Sequence, residues 1–136
     1  MKKLDTFTHI SSKELPKVNC GLFGIAEDHM QSYLSLDEKL IKNKASTFFF
    51  EASGDSMAPY IHKKDILVVD RSLEATNNKV IVAALDGGLI CKRIIRTIQG
   101  VFLVSDNPKF KSIPIKAERD FYVWGVVSAI IREVNG

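Results

Sequence analysis

Glu51 to Asp70 reads EASGDSMAPYIHKKDILVVD, a Gly-Asp-Ser-Met turn between two apolar runs. Ser56 in that turn is a candidate nucleophile. A serine hydroxyl is a poor nucleophile until a base takes its proton, and histidine is the usual base. The chain carries His9, His29 and His62. His62 follows Ser56 by six residues, in a segment that must lead into the next strand. All three read as surface histidines. The remaining class of base is a lysine held neutral. Free lysine titrates near pKa ~10.4, so almost none is neutral at pH 7. Burial lowers that value by up to about 3–5 units, because desolvation penalises the ammonium form.

The base should therefore be a lysine on an apolar face. Most lysines here sit in polar company, as in KKD (63–65) or PKFK (108–111). Lys92 does not. In LICKRII (89–95) the strand period puts Ile90, Lys92 and Ile94 on one face and Cys91, Arg93 and Ile95 on the other. Lys92 thus projects between two isoleucines, beside the apolar run KVIVAAL (79–85), which is the setting a general-base lysine needs. Competing readings exist for both residues. Lys92 could snorkel at a sheet edge, and Ser56 could cap a turn through its hydroxyl. Asp55 reads as a turn-shaping residue rather than a triad acid.

Those two residues need a scaffold, and the sequence supplies a β-rich one. Strand signals dominate after residue 45: TFFFEA (47–52), DILVVD (65–70), KVIVAAL (79–85), LICKRII (89–95), VFLVS (101–105) and FYVWGVVSAII (121–131). Asp86-Gly87-Gly88 joins two of these runs as a hairpin. Asn107-Pro108 and Ile113-Pro114 mark turns or strand edges. The run from Phe121 to Val127 is expected to pack in a core, with a dimer contact as the alternative. Short connections between many strands predict a mainly β, compact, partly closed antiparallel domain over 46–136. Before it, residues 21–45 read as a linker with short helical segments. AEDHMQSYL (26–34) is one, and SLDEKLIK (35–42) is another, with Ser35 and Glu38 at capping-box spacing.

Composition narrows the function classes. The 136 residues favour one domain with an arm, and a 46% hydrophobic content is enough for a core. A net charge of +3 is too small to argue nucleic-acid binding by itself. No apolar run reaches the ~18 residues of a membrane span, and MKKLDTFTHISS lacks the apolar stretch of a secretory signal. Cys20 and Cys91 have neither a metal-type spacing nor a disulfide framework, so a cytoplasmic protein with free thiols, no metal and no cofactor is expected.

GDSM (54–57), followed 36 positions after Ser56 by Lys92 in CKR, resembles the LexA/UmuD group of self-cleaving Ser–Lys peptidases, whose catalytic fold also occurs in signal peptidases. The similarity runs from about Cys20 to the C-terminus through ASGDSM, KDILVVD, VIVAALDG and FYVWGVV. The resemblance implies that Ser56 is the nucleophile and Lys92 the general base. It implies an oxyanion hole from the backbone of Ser56 and a neighbour such as Asp55 or Met57. That family cuts its own chain between a small residue and glycine, a place that Cys20-Gly21 occupies here. Gly21 lacks a Cβ, so its backbone can enter a narrow cleft, and Val18 and Cys20 point to one side of an extended segment.

With only twenty residues before that bond, too few for a three-helix DNA-binding module, the chain is similar to the UmuD type rather than the LexA type. Sequence-specific DNA binding is accordingly not expected. The UmuD type further implies a homodimer, cleavage stimulated by RecA filaments on single-stranded DNA, and a processed form that joins a UmuC-type Y-family polymerase in error-prone translesion synthesis during the SOS response. Two other readings stand beside this one: an interaction module or repressor-like regulator in which cleavage is not the main function, and a processing peptidase acting on other proteins.

Overall fold

The computed structural model describes residues 35–135. The helix expected over 26–34 and the Cys20-Gly21 bond lie outside the described residues. The chain divides into two compact units, 1–42 and 43–136. In the first, the helix expected over 35–42 is a shorter α1, Leu36–Leu40. The Ser35 side chain makes no capping hydrogen bond, contrary to the capping-box reading. In a helix of about one turn, the backbone does the closing: Lys39 N–H donates to Ser35 O, and Ile41 N–H to Asp37 O. The β-branched Ile41 is already extended.

The second unit opens with a 3-10 turn, Lys44–Ser46, and continues as seven strands. These are β1 (Thr47–Glu51), β2 (Ile66–Asp70), β3 (Val80–Leu85), β4 (Gly88–Thr97), β5 (Gly100–Val104), β6 (Ile113–Ile115) and β7 (Phe121–Ile131). They form one antiparallel sheet in the order β1-β2-β7-β3-β4-β5-β6. All six expected strands are present. The seventh, β6, contains the Ile113-Pro114 pair and lies at the sheet edge, where a missing N–H is tolerated.

Strand β3 explains why its sequence shows no polar alternation. Val80 and Val82 belong to one buried cluster with Met57, Ile61, Leu67 and Val69. Ile81 and Ala83 belong to a second, with Ile94, Leu103 and Val126. Successive residues point to opposite faces, and both faces of β3 are covered. The β3–β4 hairpin turns through Asp86 (φ 50°) and Gly87 (φ 89°), the left-handed pair that a two-residue turn requires. This hairpin places Lys92 opposite the fully buried Ile81.

Strand β7 runs through the middle of the sheet between β2 and β3. It carries one extra residue against each neighbour, Ser128 against β2 and Trp124 against β3. Such bulges bend and twist a strand. The run 121–127 packs into the core as expected: Val126 is buried, Phe121 and Val123 rest on one cluster, and Trp124 and Val127 on the other.

Candidate active site

The GDSM turn is held from both sides. Inside the domain, Met57 is almost fully buried and anchors the turn in the first core cluster. The backbone carbonyls of Asp55, Ser56 and Met57 are engaged. Asp55 O accepts from Ala58 N–H at 3.1 Å and from Asn107 Nδ2 at 3.0 Å. Ser56 O accepts from Asn107 N–H at 3.0 Å, and Met57 O from Ile61 N–H at 2.9 Å. By contrast, the N–H groups of Asp55, Ser56 and Met57 donate no hydrogen bond among the described residues. Carbonyls tied back and amides left over are what a turn needs to receive a negative oxygen.

Ser56 and Lys92 line the same cleft, of about 260 Å³. One wall comes from the end of β1 and the turn: Phe50, Glu51, Ala52, Ser53, Gly54 and Met57. The other comes from β3 and the start of β4: Val82, Leu89, Ile90 and Cys91. Ile61 and Leu67 close the floor with first-cluster side chains. The lining is mostly apolar, so the half-buried Lys92 amine is partly desolvated there.

Lys92 has the environment its neighbours in sequence predict. Ile94 is fully buried, and Ile90 packs against the same second cluster. Desolvation holds the Lys92 pKa below the ordinary lysine value, with Cys91 acting in the other direction. A depressed pKa means that more of the amine is neutral near physiological pH than for a free lysine. The amine also sits 5.5 Å from the centre of the Phe110 ring. The hydrogen bond that Lys92 makes among the described residues goes to Ser105 Oγ at 2.8 Å, not to Ser56.

Sequence reasoning missed this second contact layer, Ser105-Asp106-Asn107. The three residues follow β5 and strap β4 to the turn. Ser105 takes Lys92. Asp106 takes the neighbouring Arg93 through both oxygens, Nε at 2.9 Å and Nη2 at 2.8 Å, while its own N–H donates to Met57 Sδ at 3.4 Å. Asn107 holds the carbonyls of Asp55 and Ser56. Arg93 also stacks over Tyr60 at 5.1 Å. The signal was present but indirect. Arg93 pairs with Val104, so one more step along the antiparallel register brings Ser105 opposite Lys92.

The other candidate groups are poorly suited to the chemistry. His62 is exposed, and its ring Nε2 lies 3.0 Å from Pro59 O. The Cys91 thiol lines the cleft, but burial pushes its pKa up to about 11, so it stays protonated and is a poor competitor to Ser56. No group of His, Cys, Asp and Glu among the described residues is arranged to hold a metal ion. No described helix is long and apolar enough to cross a membrane.

Comparison with known proteins gives a consistent set of relatives. A family model described as peptidase S24-like matches residues 12–128. Protein ImpA of Salmonella typhimurium is 32% identical over 121 residues, covering 88% of this chain and 81% of the relative. Protein MucA of Escherichia coli is 30% identical over 116 residues, 84% of this chain and 79% of the relative. LexA repressor 1 of Xanthomonas campestris pv. campestris is 31% identical over 120 residues, 88% of this chain but 59% of that longer protein.

Proposed function

The chain belongs to the peptidase S24-like family, the self-cleaving serine peptidases of the SOS response, and on that premise we propose that it cuts its own Cys20-Gly21 bond with a Ser56–Lys92 dyad. The observation that carries this reading is the shared cleft: a serine in a pinned turn and a desolvated lysine line one apolar space. Neutral Lys92 takes the proton of Ser56 Oγ as that oxygen bonds to the carbonyl carbon of Cys20. The resulting oxyanion is received by the backbone N–H of Ser56 and of Met57 or Asp55. Collapse breaks the bond between the Cys20 carbonyl carbon and the Gly21 nitrogen, and the Lys92 ammonium returns its proton to the departing amine. Water, losing a proton to Lys92, then attacks the Ser56 ester; the C–O bond to Ser56 breaks, Lys92 passes that proton to the departing Ser56 Oγ, and the new Cys20 carboxylic acid ionises to a carboxylate.

The apolar cleft suits small side chains such as Val18 and Cys20 from an extended segment. In this reading 1–20 is the cleavable arm, 21–45 the linker and 46–136 the peptidase domain. Because the substrate is tethered, proximity stands in for strong binding, and docking of the arm limits the rate. A RecA filament on single-stranded DNA favours the docked state. The processed chain, as a homodimer in the cytoplasm, joins a UmuC-type polymerase for translesion synthesis.

The direct test is mutational. Purified protein, Ser56→Ala and Lys92→Ala are incubated at alkaline pH and followed by gel. Both variants should lose cleavage by at least the ~10²–10⁴-fold attributed to a positioned base. Cutting at the wild-type rate in either variant would remove the dyad. A regulator that works without cleavage would instead keep its biological activity in both variants.

A further inference from the structure

Lys92 Nζ donates a hydrogen bond to Ser105 Oγ, a side chain outside the Ser56–Lys92 pair. We propose that Ser105 is a positioning residue for the general base, holding one N–H of Lys92 so that the nitrogen lone pair is presented to the cleft that Ser56 lines. This proposal rests on the dyad reading above and adds a third side chain to it.

A neutral amine has two N–H donors and one lone pair, and rotation about the Cε–Nζ bond is otherwise nearly free. Only the lone pair can accept the serine proton. An amine without an anchor offers the wrong group for most of the time. Ser105 supplies the anchor at 2.8 Å. Ser105 is 6% exposed, so its hydroxyl is largely shielded from water. It directly follows the β4–β5 ladder, whose last pair, Arg93 and Val104, sets it across from Lys92. Ser105 is not among the residues that line the cleft, whereas Lys92 is. The Phe110 ring restricts the amine from another side.

The hydroxyl oxygen also stabilises the ammonium form, because a charged donor makes the stronger hydrogen bond. Other ionisable groups around Lys92 are Cys91 beside it, Glu51 on the far wall of the cleft, and Asp106, which is engaged by Arg93. None of these changes when Ser105 does. Removing the hydroxyl should therefore have two effects of opposite appearance. The plateau rate should fall, since the lone pair is misdirected. The midpoint of the pH–rate curve should move down, since the ammonium loses a partner. A merely structural defect would admit water and move the midpoint up, toward free lysine.

The experiment compares wild type, Ser105→Ala and Ser105→Thr in self-cleavage across neutral to alkaline pH. In parallel, the Lys92 side-chain NMR signal is titrated in each chain carrying Ser56→Ala, which stays intact. We expect Ser105→Ala to lower the plateau rate about tenfold to a hundredfold, the scale of a misplaced catalytic group. We also expect a lower Lys92 midpoint, and recovery of both with threonine. A Ser105→Ala protein with the wild-type plateau and midpoint overturns the proposal. So does a faster one, which would make Ser105 a restraint that holds Lys92 away from Ser56. Cleavage that survives Ser56→Ala sinks the dyad itself, whereas an unmoved midpoint with the dyad intact sinks Ser105 alone.

Discussion

At the scale of single residues, burial sorts the reactive groups of the cleft. The same dry surroundings lower the pKa of Lys92 and raise that of Cys91 to about 11, because each favours its neutral form. The two shifts have opposite chemical meaning. A neutral lysine is an active base, but a neutral thiol is a poor nucleophile. Self-cleavage should thus rise with pH, by about tenfold per unit below the Lys92 midpoint, and level off above it. That midpoint should lie below the value of free lysine. A rate independent of pH would contradict the assignment. Cys91 should resist a thiol-alkylating reagent at neutral pH in the folded chain, as read by peptide mass mapping; rapid stoichiometric labelling at Cys91 would count against its burial.

At the scale of elements, the site depends on three pieces meeting: the GDSM turn, the start of β4, and the strap at 105–107. Part of this was legible in the sequence. The period of two in LICKRII put Lys92 among isoleucines, and the Asp-Gly-Gly turn fixed its hairpin. Less direct was the neighbour of β4 on its other side, because Ser105 meets Lys92 only through the β5 register. The cleft also draws on consecutive residues Leu89 to Lys92, so a one-face reading of β4 captures only part of its contribution. The bulges in β7 were likewise invisible, since an extra residue leaves no mark in an apolar run. Gly125 sits beside one of them. A Cβ there would lie 2.6 Å from Val69 Cγ1 and 3.3 Å from Arg71 Cγ. Gly125→Ala should destabilise the sheet by about 1–3 kcal/mol through overpacking. Urea denaturation reads this as a lower midpoint, and an unchanged midpoint would show that β2 yields freely.

At the scale of the whole β unit, its last strand is tied back to its first hairpin. Asp65 is buried at the entrance to β2. It accepts from Arg132, Nε at 2.7 Å and Nη2 at 2.6 Å, and from His62 N–H at 2.7 Å. The Arg132 hydrogen bonds hold its carboxyl below the usual carboxylate range, against the opposing effect of burial. A depressed folded-state pKa stabilises the protein above the unfolded value near pH ~3.9, and that stability is lost as pH falls through the depressed value. Asp65→Asn should therefore melt at a lower temperature than wild type at neutral pH, with the gap closing in acid. A gap that stays constant from neutral to acid pH would mean that the carboxylate charge is not what matters. None of this closure was foreseen, because its partners stand 67 positions apart in the chain. The apolar strand runs, by contrast, were enough to foresee a mainly antiparallel β-domain.

In the proposed reaction an uncharged Lys92 lets Ser56 cut this chain at one bond. Intact-mass measurement of the purified protein, sampled over time at increasing pH, tests it most directly. Two products are expected, residues 1–20 and the remaining 116 residues, appearing faster as pH rises and absent in Ser56→Ala. Products from any other bond, or the same products from the Ser56→Ala chain, would contradict it.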